Sequence, residues 1–321
     1  MKHSTTITFI LLGVFVLSQV VGLFLSAPAL KITQTVFDEE TNTTQEVIIA
    51  QQELAGGGER PQSEYPVVFI ATAIAIGTLL ILLLVKYKLY KLWKVWFFLA
   101  VLYTLFQSFN AYPILPLWAT FLLAVLLSVW KIYFPNIFIH NLTEIFVYAG
   151  LAIVFVPVLQ VHHMILLLFL ISAYDMYAVW KSKHMVEMAK FQSESSVFAG
   201  VSIPYALGRK AKKGSATKKV KVRTAILGGG DIGFPLLFAG VVMQKLANMP
   251  EIASQVVGLD PISRGLLLSS LLLPKVLIIT FCTTIALGLL FYFAEKDKFY
   301  PAMPFVSAGC LVGYGLLLLL F

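Results

Sequence analysis

Nine apolar stretches run through the chain, separated by short polar or basic punctuation. A membrane-spanning helix needs about 20 mostly apolar residues. Stretches at about Ile7–Leu25, Pro66–Val85, Val95–Tyr112, Leu117–Trp130, Leu142–Gln160, Met164–Trp180, Ala225–Leu246, Leu267–Ala294 and Pro301–Phe321 meet or approach that length. The pattern predicts an all-α polytopic membrane protein, with nine transmembrane helices in one membrane-embedded domain over residues 1–321. Helices one to six fill 1–180, a basic loop fills 181–224, and helices seven to nine fill 225–321. The first stretch has a second reading as a secretory leader, because Ala27-Pro28-Ala29 resembles a cleavage site. Its apolar run is longer than a usual signal core and a proline sits inside the site, which favours a retained helix.

Composition agrees with the pattern. The 321 residues are 59% hydrophobic and 12% charged, against about 25% charged in ordinary soluble domains. The net charge of +8 therefore reads as a loop bias and not as a nucleic-acid footprint. Lys86, Lys88, Lys91 and Lys94 follow the second stretch, and residues 181–223 carry eleven Lys and Arg against Glu187 and Glu194. The positive-inside rule puts both segments in the cytoplasm. The N-terminus is then cytoplasmic, and residues 28–65 and the C-terminus are extracytoplasmic. The long basic loop reads as a solvated segment near anionic headgroups.

Several features take plain readings. Asn42-Thr43-Thr44 is a weak glycosylation sequon. Cys282 and Cys310 read as small buried hydrophobes. Asn141 and Glu144 fit an N-cap and its N3 partner. His162 and His163, adjacent on a helix, should point apart and read as an interfacial pair instead of metal ligands. No cofactor or metal site is expected.

Two acids break the apolar pattern. Asp175 lies in the sixth stretch and Asp231 in the seventh, within Gly228-Gly229-Gly230-Asp231. A carboxylate at membrane depth costs roughly 2.5–3.5 kcal/mol on insertion scales, so each needs a partner or a task. Asp175 lies five residues before the basic end of its helix, at about 7–8 Å of depth, and Asp231 six residues beyond Ala225, at about 9 Å. Neighbouring helices thus hold two carboxylates level with each other. In low dielectric such a pair cannot easily ionise twice, so one member keeps its proton. The ionised acid can then take a proton from water while the protonated one donates to a peptide carbonyl, which is general acid–base hydrolysis. Gly228, Gly229 and Gly230 strip side chains from the approach. Pro235 removes the helical bond to the Asp231 carbonyl and loosens the helix there. Tyr174 adjoins Asp175 but points away from its face, and Ser172, one turn earlier, could bond the carboxylate.

At these residues the chain resembles the presenilin and signal-peptide-peptidase family of intramembrane aspartyl proteases. The matching motifs are Tyr174-Asp175, Gly228-Gly229-Gly230-Asp231 as Gly-x-Gly-Asp, and Pro301-Ala302-Met303 where the family carries Pro-Ala-Leu. Lys183-His184-Met185 is similar to archaeal members. The resemblance implies Asp175 and Asp231 as the catalytic pair, Pro301, Ala302 and Met303 as residues shaping the site, and transmembrane-helix proteins of the lipid bilayer as substrates. It also implies that the segment around Lys219–Arg223 pairs as a strand with unwound substrate. Met303 replaces the family leucine, which puts substrate positioning in question. The competing reading is an ion channel or proton-coupled transporter with the acids as ion ligands. No His-Glu-x-x-His or Gly-x-Ser-x-Gly pattern points to a metallo or serine protease.

Overall fold

The computed structural model describes residues 5–38, 43–57, 66–134, 136–182, 197–204, 224–295 and 300–321. The sequon residue Asn42, most of the basic loop and the Lys219–Arg223 segment lie outside these. The chain begins with helix α1 (Thr5–Ser26), closed by a 3-10 turn at Ala27–Ala29. Strands β1 (Ile32–Asp38) and β2 (Thr43–Ala50) then form an antiparallel hairpin. Helices α2 (Pro66–Lys86), α3 (Tyr90–Phe109), α4 (Leu117–Tyr133), α5 (Ile137–Phe155) and α6 (Val161–Tyr177) follow. A second antiparallel hairpin joins β3 (Gly200–Pro204) to β4 (Thr224–Gly228). The chain ends with α7 (Gly229–Ala247), the short α8 (Pro250–Val256), α9 (Pro261–Phe293) and α10 (Met303–Leu320).

Seven of the described helices, α1, α3, α5, α6, α7, α9 and α10, are long and apolar enough to cross a membrane. The two remaining apolar stretches give the shorter Val68–Leu84 part of α2 and Leu117–Tyr133 of α4. The outward faces carry Trp118, Phe138, Phe281 and Leu319 in exposed positions, a surface suited to lipid and not to water.

Helices α1 and α7 form the middle of the bundle. Leu11, Phe15 and Leu23 of α1 are fully buried, as are Leu236, Phe238 and Ala239 of α7, and α7 is the most deeply buried of the seven spans. The α9–α10 pair closes tightly because Gly309 and Gly313, one turn apart, lie on the backbone of α9. A methyl at either would come within 2.7 Å of the Thr283 Cα and 2.6 Å of the Ile279 Cα respectively. Small residues at this spacing allow close helix approach where no hydrophobic driving force separates protein from lipid.

Extended segments are tied to the helices by side-chain amides, which present the same donor and acceptor as a peptide group. Gln107 Oε1 accepts from Ala55 N at 2.9 Å and its Nε2 donates to Ala55 O at 3.2 Å. Asn248 Oδ1 accepts from Thr33 N at 2.7 Å, and its Nδ2 donates to Lys31 O at 3.1 Å.

Several element boundaries differ from those expected. Residues 224–228 are strand and not helix, so the seventh helix starts at Gly229; the three successive glycines favour neither state, and strand pairing with β3 wins locally. The region 247–264, between two of the apolar stretches, contains α8 and the start of α9. There Asp260 caps the helix, accepting from Ile262 N at 3.0 Å and Ser263 N at 3.1 Å, and Pro261 occupies the first turn. The cap of α5 is Asn136 and not Asn141. The His162 and His163 rings do not point apart: their centroids are 4.0 Å from each other, since His163 Nδ1 turns back to accept from Gln160 N at 3.3 Å.

Glu144, expected as a capping residue, is a partner in a buried ion pair. Lys131 Nζ donates to Glu144 Oε1 at 2.7 Å, to Thr143 Oγ1 at 3.1 Å and to His140 O at 3.3 Å. The side chains are 1% and 2% exposed. All three ammonium protons are thereby used, and the pair locks α4 to the first turns of α5. Breaking a buried pair by removing one partner costs about 3–5 kcal/mol, whereas replacing both by apolar groups is often neutral. Glu144→Ala is therefore expected to lower the thermal unfolding midpoint in detergent sharply. The double variant Lys131→Met with Glu144→Leu should unfold near the wild-type midpoint.

Candidate active site

The hairpin and the helix ends place the two acids. Asp175 is the third residue from the end of α6, and Asp231 the third from the start of α7. Helices α6 and α7 pack against each other, and the Asp175 carboxylate lies within electrostatic reach of Asp231. The level placement was expected from helix ends at Trp180 and Ala225, whereas α6 runs on through a π-helical turn at Ala178–Ser182. The reasoning behind it needs correction, because the residues preceding Gly229 are strand and Asp231 sits in a first turn.

That first turn supplies donors. The N–H groups at a helix start have no intrahelical acceptor. Gly228 is the N-cap of α7, in extended backbone at φ −64° and ψ 147°. Asp231, three residues on, turns its carboxylate back toward the Gly228 backbone, the N3-to-N-cap half of a capping box. Gly228 leaves room for this, since a Cβ there would stand 3.1 Å from Asp231 Oδ2.

Asp175 is held in the same way by a different helix. The α10 start at Met303 has no side-chain cap of its own. Asp175 Oδ2 accepts from Met303 N at 3.1 Å, with the Ala302 backbone beside it. Pro301-Ala302-Met303 thus touches the acid through main-chain groups. The change from leucine to methionine alters a buried side chain and leaves that donor in place. One turn away, Ser172 Oγ and Ser307 Oγ are 2.8 Å apart. Ser172 therefore ties α6 to α10 instead of bonding Asp175. Tyr174 is exposed.

Other polar groups around Asp231 are visible only in the fold. Gln19 of α1 is buried and donates from Nε2 to Ile232 O at 2.9 Å, next to the acid and within the turn that Pro235 loosens. Tyr148 of α5 is buried, and its hydroxyl faces Glu144 short of hydrogen-bond geometry. It also packs on Gly229, where a Cβ would stand 3.1 Å from the hydroxyl oxygen. The signal available in sequence was a polar side chain inside an apolar helix, and Gln19 and Tyr148 drew no notice there.

An apolar cavity of about 700 Å³ opens beside the Gly-rich turn, lined by Phe97, Tyr148, Leu151, Gly229, Gly233 and Phe234 among others. It is bounded by α2, α3, α5, α6 and α7. Among the described residues no group of three or more His, Cys, Asp or Glu could hold a metal ion.

Comparison with known proteins follows this geometry. The family model described as "Signal-peptide peptidase, presenilin aspartyl protease" matches residues 12–321. A search of curated proteins gives no match. Among solved structures, the chain is similar to a presenilin family intramembrane aspartate protease in its C222 crystal form, with a TM-score of 0.57 and 16% identity over 98% of this chain and 99% of that one. The P2 crystal form of such a protease gives a TM-score of 0.56 and 16% identity, covering 97% of both chains. At this identity the likeness concerns the fold.

A methyl on Gly229 must push against the Tyr148 hydroxyl. Gly229→Ala is expected to destabilise the protein by about 1–2 kcal/mol through overpacking. Adding Tyr148→Phe, which removes the oxygen in the way, should recover most of the loss in thermal unfolding.

Proposed function

The chain belongs to the signal-peptide peptidase and presenilin aspartyl protease family, and from that premise we propose that Asp175 and Asp231 are the catalytic pair that hydrolyses peptide bonds of membrane proteins within the bilayer. The observation that carries this reading is the pairing of the two acids across α6 and α7, each turned to main-chain groups at a helix start. An integral membrane protease of this kind needs water, acid and base at one point, and only a local polar anchorage keeps two carboxyl groups there in lipid.

The chemistry then runs as follows. The ionised aspartate removes a proton from water, and the oxygen adds to the scissile carbonyl carbon. The protonated aspartate gives its proton to the carbonyl oxygen, forming a gem-diol. Collapse of the gem-diol breaks the C–N bond, and a proton moves to the departing nitrogen. No covalent intermediate forms, and the protons return to the pair.

The Gly-rich turn supports substrate entry. Gly229, Gly230 and Gly233 line the apolar cavity, and at these three positions α7 presents bare backbone to an unwound substrate. Strand β4 leads directly into that turn, and the Lys219–Arg223 segment precedes it. An extended substrate adding to this edge gains backbone hydrogen bonds that do not depend on its sequence. Helices α2 and α4 complete nine spans in this reading. The basic bias of residues 86–94 and 181–223 supports a cytoplasmic N-terminus and an extracytoplasmic C-terminus.

Purified protein in detergent should cleave a synthetic transmembrane peptide. Asp175→Asn and Asp231→Asn should each lower the rate by about 10³-fold or more while the unfolding midpoint stays unchanged. Equal cleavage by wild type and the Asp231→Asn variant would refute the assignment, and ion flux without cleavage would favour a channel. The profile of kcat/KM against pH should be bell-shaped. Activity falls in acid as the base becomes protonated, and falls in alkali as the acid loses its proton.

A further inference from the structure

Three polar side chains reach the wall of the apolar cavity, those of Thr104, Glu144 and Tyr148. Two of them are already engaged. The Thr104 hydroxyl turns back into its own helix, toward Ala100 O at 2.9 Å and Val101 O at 3.1 Å. Glu144 Oε1 accepts from Lys131 Nζ at 2.7 Å. Tyr148 differs. It is 3% exposed, and its hydroxyl has no hydrogen-bond partner among the described residues. A buried hydroxyl in that condition has lost its water, and nothing in the fold offsets the loss.

The ring is fixed against α7. It runs along the face made by Gly229 and Gly233, which lie one turn apart on that helix. A Cβ at Gly233 would stand 4.0 Å from Tyr148 Cδ1, and a Cβ at Gly229 would stand 3.1 Å from the hydroxyl oxygen. The hydroxyl is thus the end of the ring nearer the start of α7, and Asp231 lies within its electrostatic reach. Glu144, one turn earlier on α5, faces the same hydroxyl.

The neighbours decide which way the hydroxyl acts. A phenol has one proton to give and lone pairs to receive with, whereas a carboxylate only accepts. Glu144, held in place by an ammonium group, draws the Tyr148 proton to its own side. The lone pairs of the oxygen are left for the cavity. An unwound peptide segment brings there N–H groups that have lost their helical acceptors, and away from water each needs a new one. The remaining wall is apolar side chains and glycine, so the Tyr148 oxygen is the acceptor at hand.

Resting on the protease reading above, we propose that Tyr148 is a substrate-binding residue whose hydroxyl oxygen, oriented by Glu144, accepts a hydrogen bond from one main-chain N–H of the unwound substrate beside Gly229. The hydroxyl serves the substrate and not the fold. Loss of the oxygen therefore weakens binding and leaves stability intact, the opposite of what a packing role gives.

Binding and stability measured together test this. In an Asp231→Asn background, a fluorescent transmembrane peptide is titrated with the full chain in detergent micelles. Adding Tyr148→Phe should raise Kd about three- to tenfold, the loss of one neutral hydrogen bond. The thermal unfolding midpoint should stay level or rise. A second series uses peptides in which one main-chain N–H at a time is replaced by an ester oxygen. One position should weaken binding by a similar factor with Tyr148 present and by nothing further with Tyr148→Phe, because both changes delete the same bond. In the active enzyme, Tyr148→Phe should raise KM by that factor and change kcat less than about twofold, as for a contact made equally before and during reaction. An unchanged Kd with a lowered midpoint would assign the hydroxyl to the fold and overturn the proposal. So would an ester series in which no position loses its effect in Tyr148→Phe. Either result, with Asp231→Asn still abolishing cleavage, leaves the protease assignment standing.

Discussion

A carboxyl group inside an apolar bundle needs hydrogen-bond donors, and ordinary helix interiors have none to spare because every N–H is already bonded. Helix starts are the exception, since their first N–H groups find no partner within the helix. In this protein each of the two acids lies against such a start. The beginning of α7 faces Asp231, and the beginning of α10 faces Asp175. The rest of the fold serves that arrangement. The β3–β4 hairpin exists where α7 would otherwise extend, so the helix starts at the acid. Pro301 and Pro304 flank the start of α10 and prevent it from beginning earlier in the same register.

The two anchorages differ in kind. Asp231 is held by its own helix, through a glycine with no side chain to interfere. Asp175 is held across an interface, and the same interface is stapled one turn away by Ser172 and Ser307. Motion of α10 relative to α6 would therefore move Asp175 and leave Asp231 in place. Gln19, reaching from α1 to the Ile232 carbonyl, strengthens the fixed side, where the proline leaves the helix short of one bond.

Much of this was legible in the sequence. The apolar stretches located the helices, and Asp175 and Asp231 stood out because acids are costly there. What the pattern could not supply was the boundary between strand and helix at residues 224–229. Thr224 to Leu227 is as apolar as the helix that follows, and hydropathy alone does not separate a buried strand from a buried helix. The first hairpin was missed for the opposite reason, as its polar residues resemble a loop. Lys131 carried no reading of its own, and Asn141 read as a cap because its type commonly plays that part. Their actual partners, Glu144 and Ser202, lie 13 and 61 residues away, beyond any local pattern. Met303 looked like a departure with consequences, yet its contact with Asp175 is made by the backbone, which no side-chain comparison reveals.

The most direct measurement of the central claim is the separation of the Asp175 and Asp231 carboxyl oxygens in an experimentally solved complex with bound peptide. One water within hydrogen-bond reach of both acids requires oxygens no more than about 6 Å apart, and the account predicts such a bridging water beside the scissile carbonyl. A complex with the carboxyl groups farther apart than a single water can span, and with the peptide in place, would contradict it.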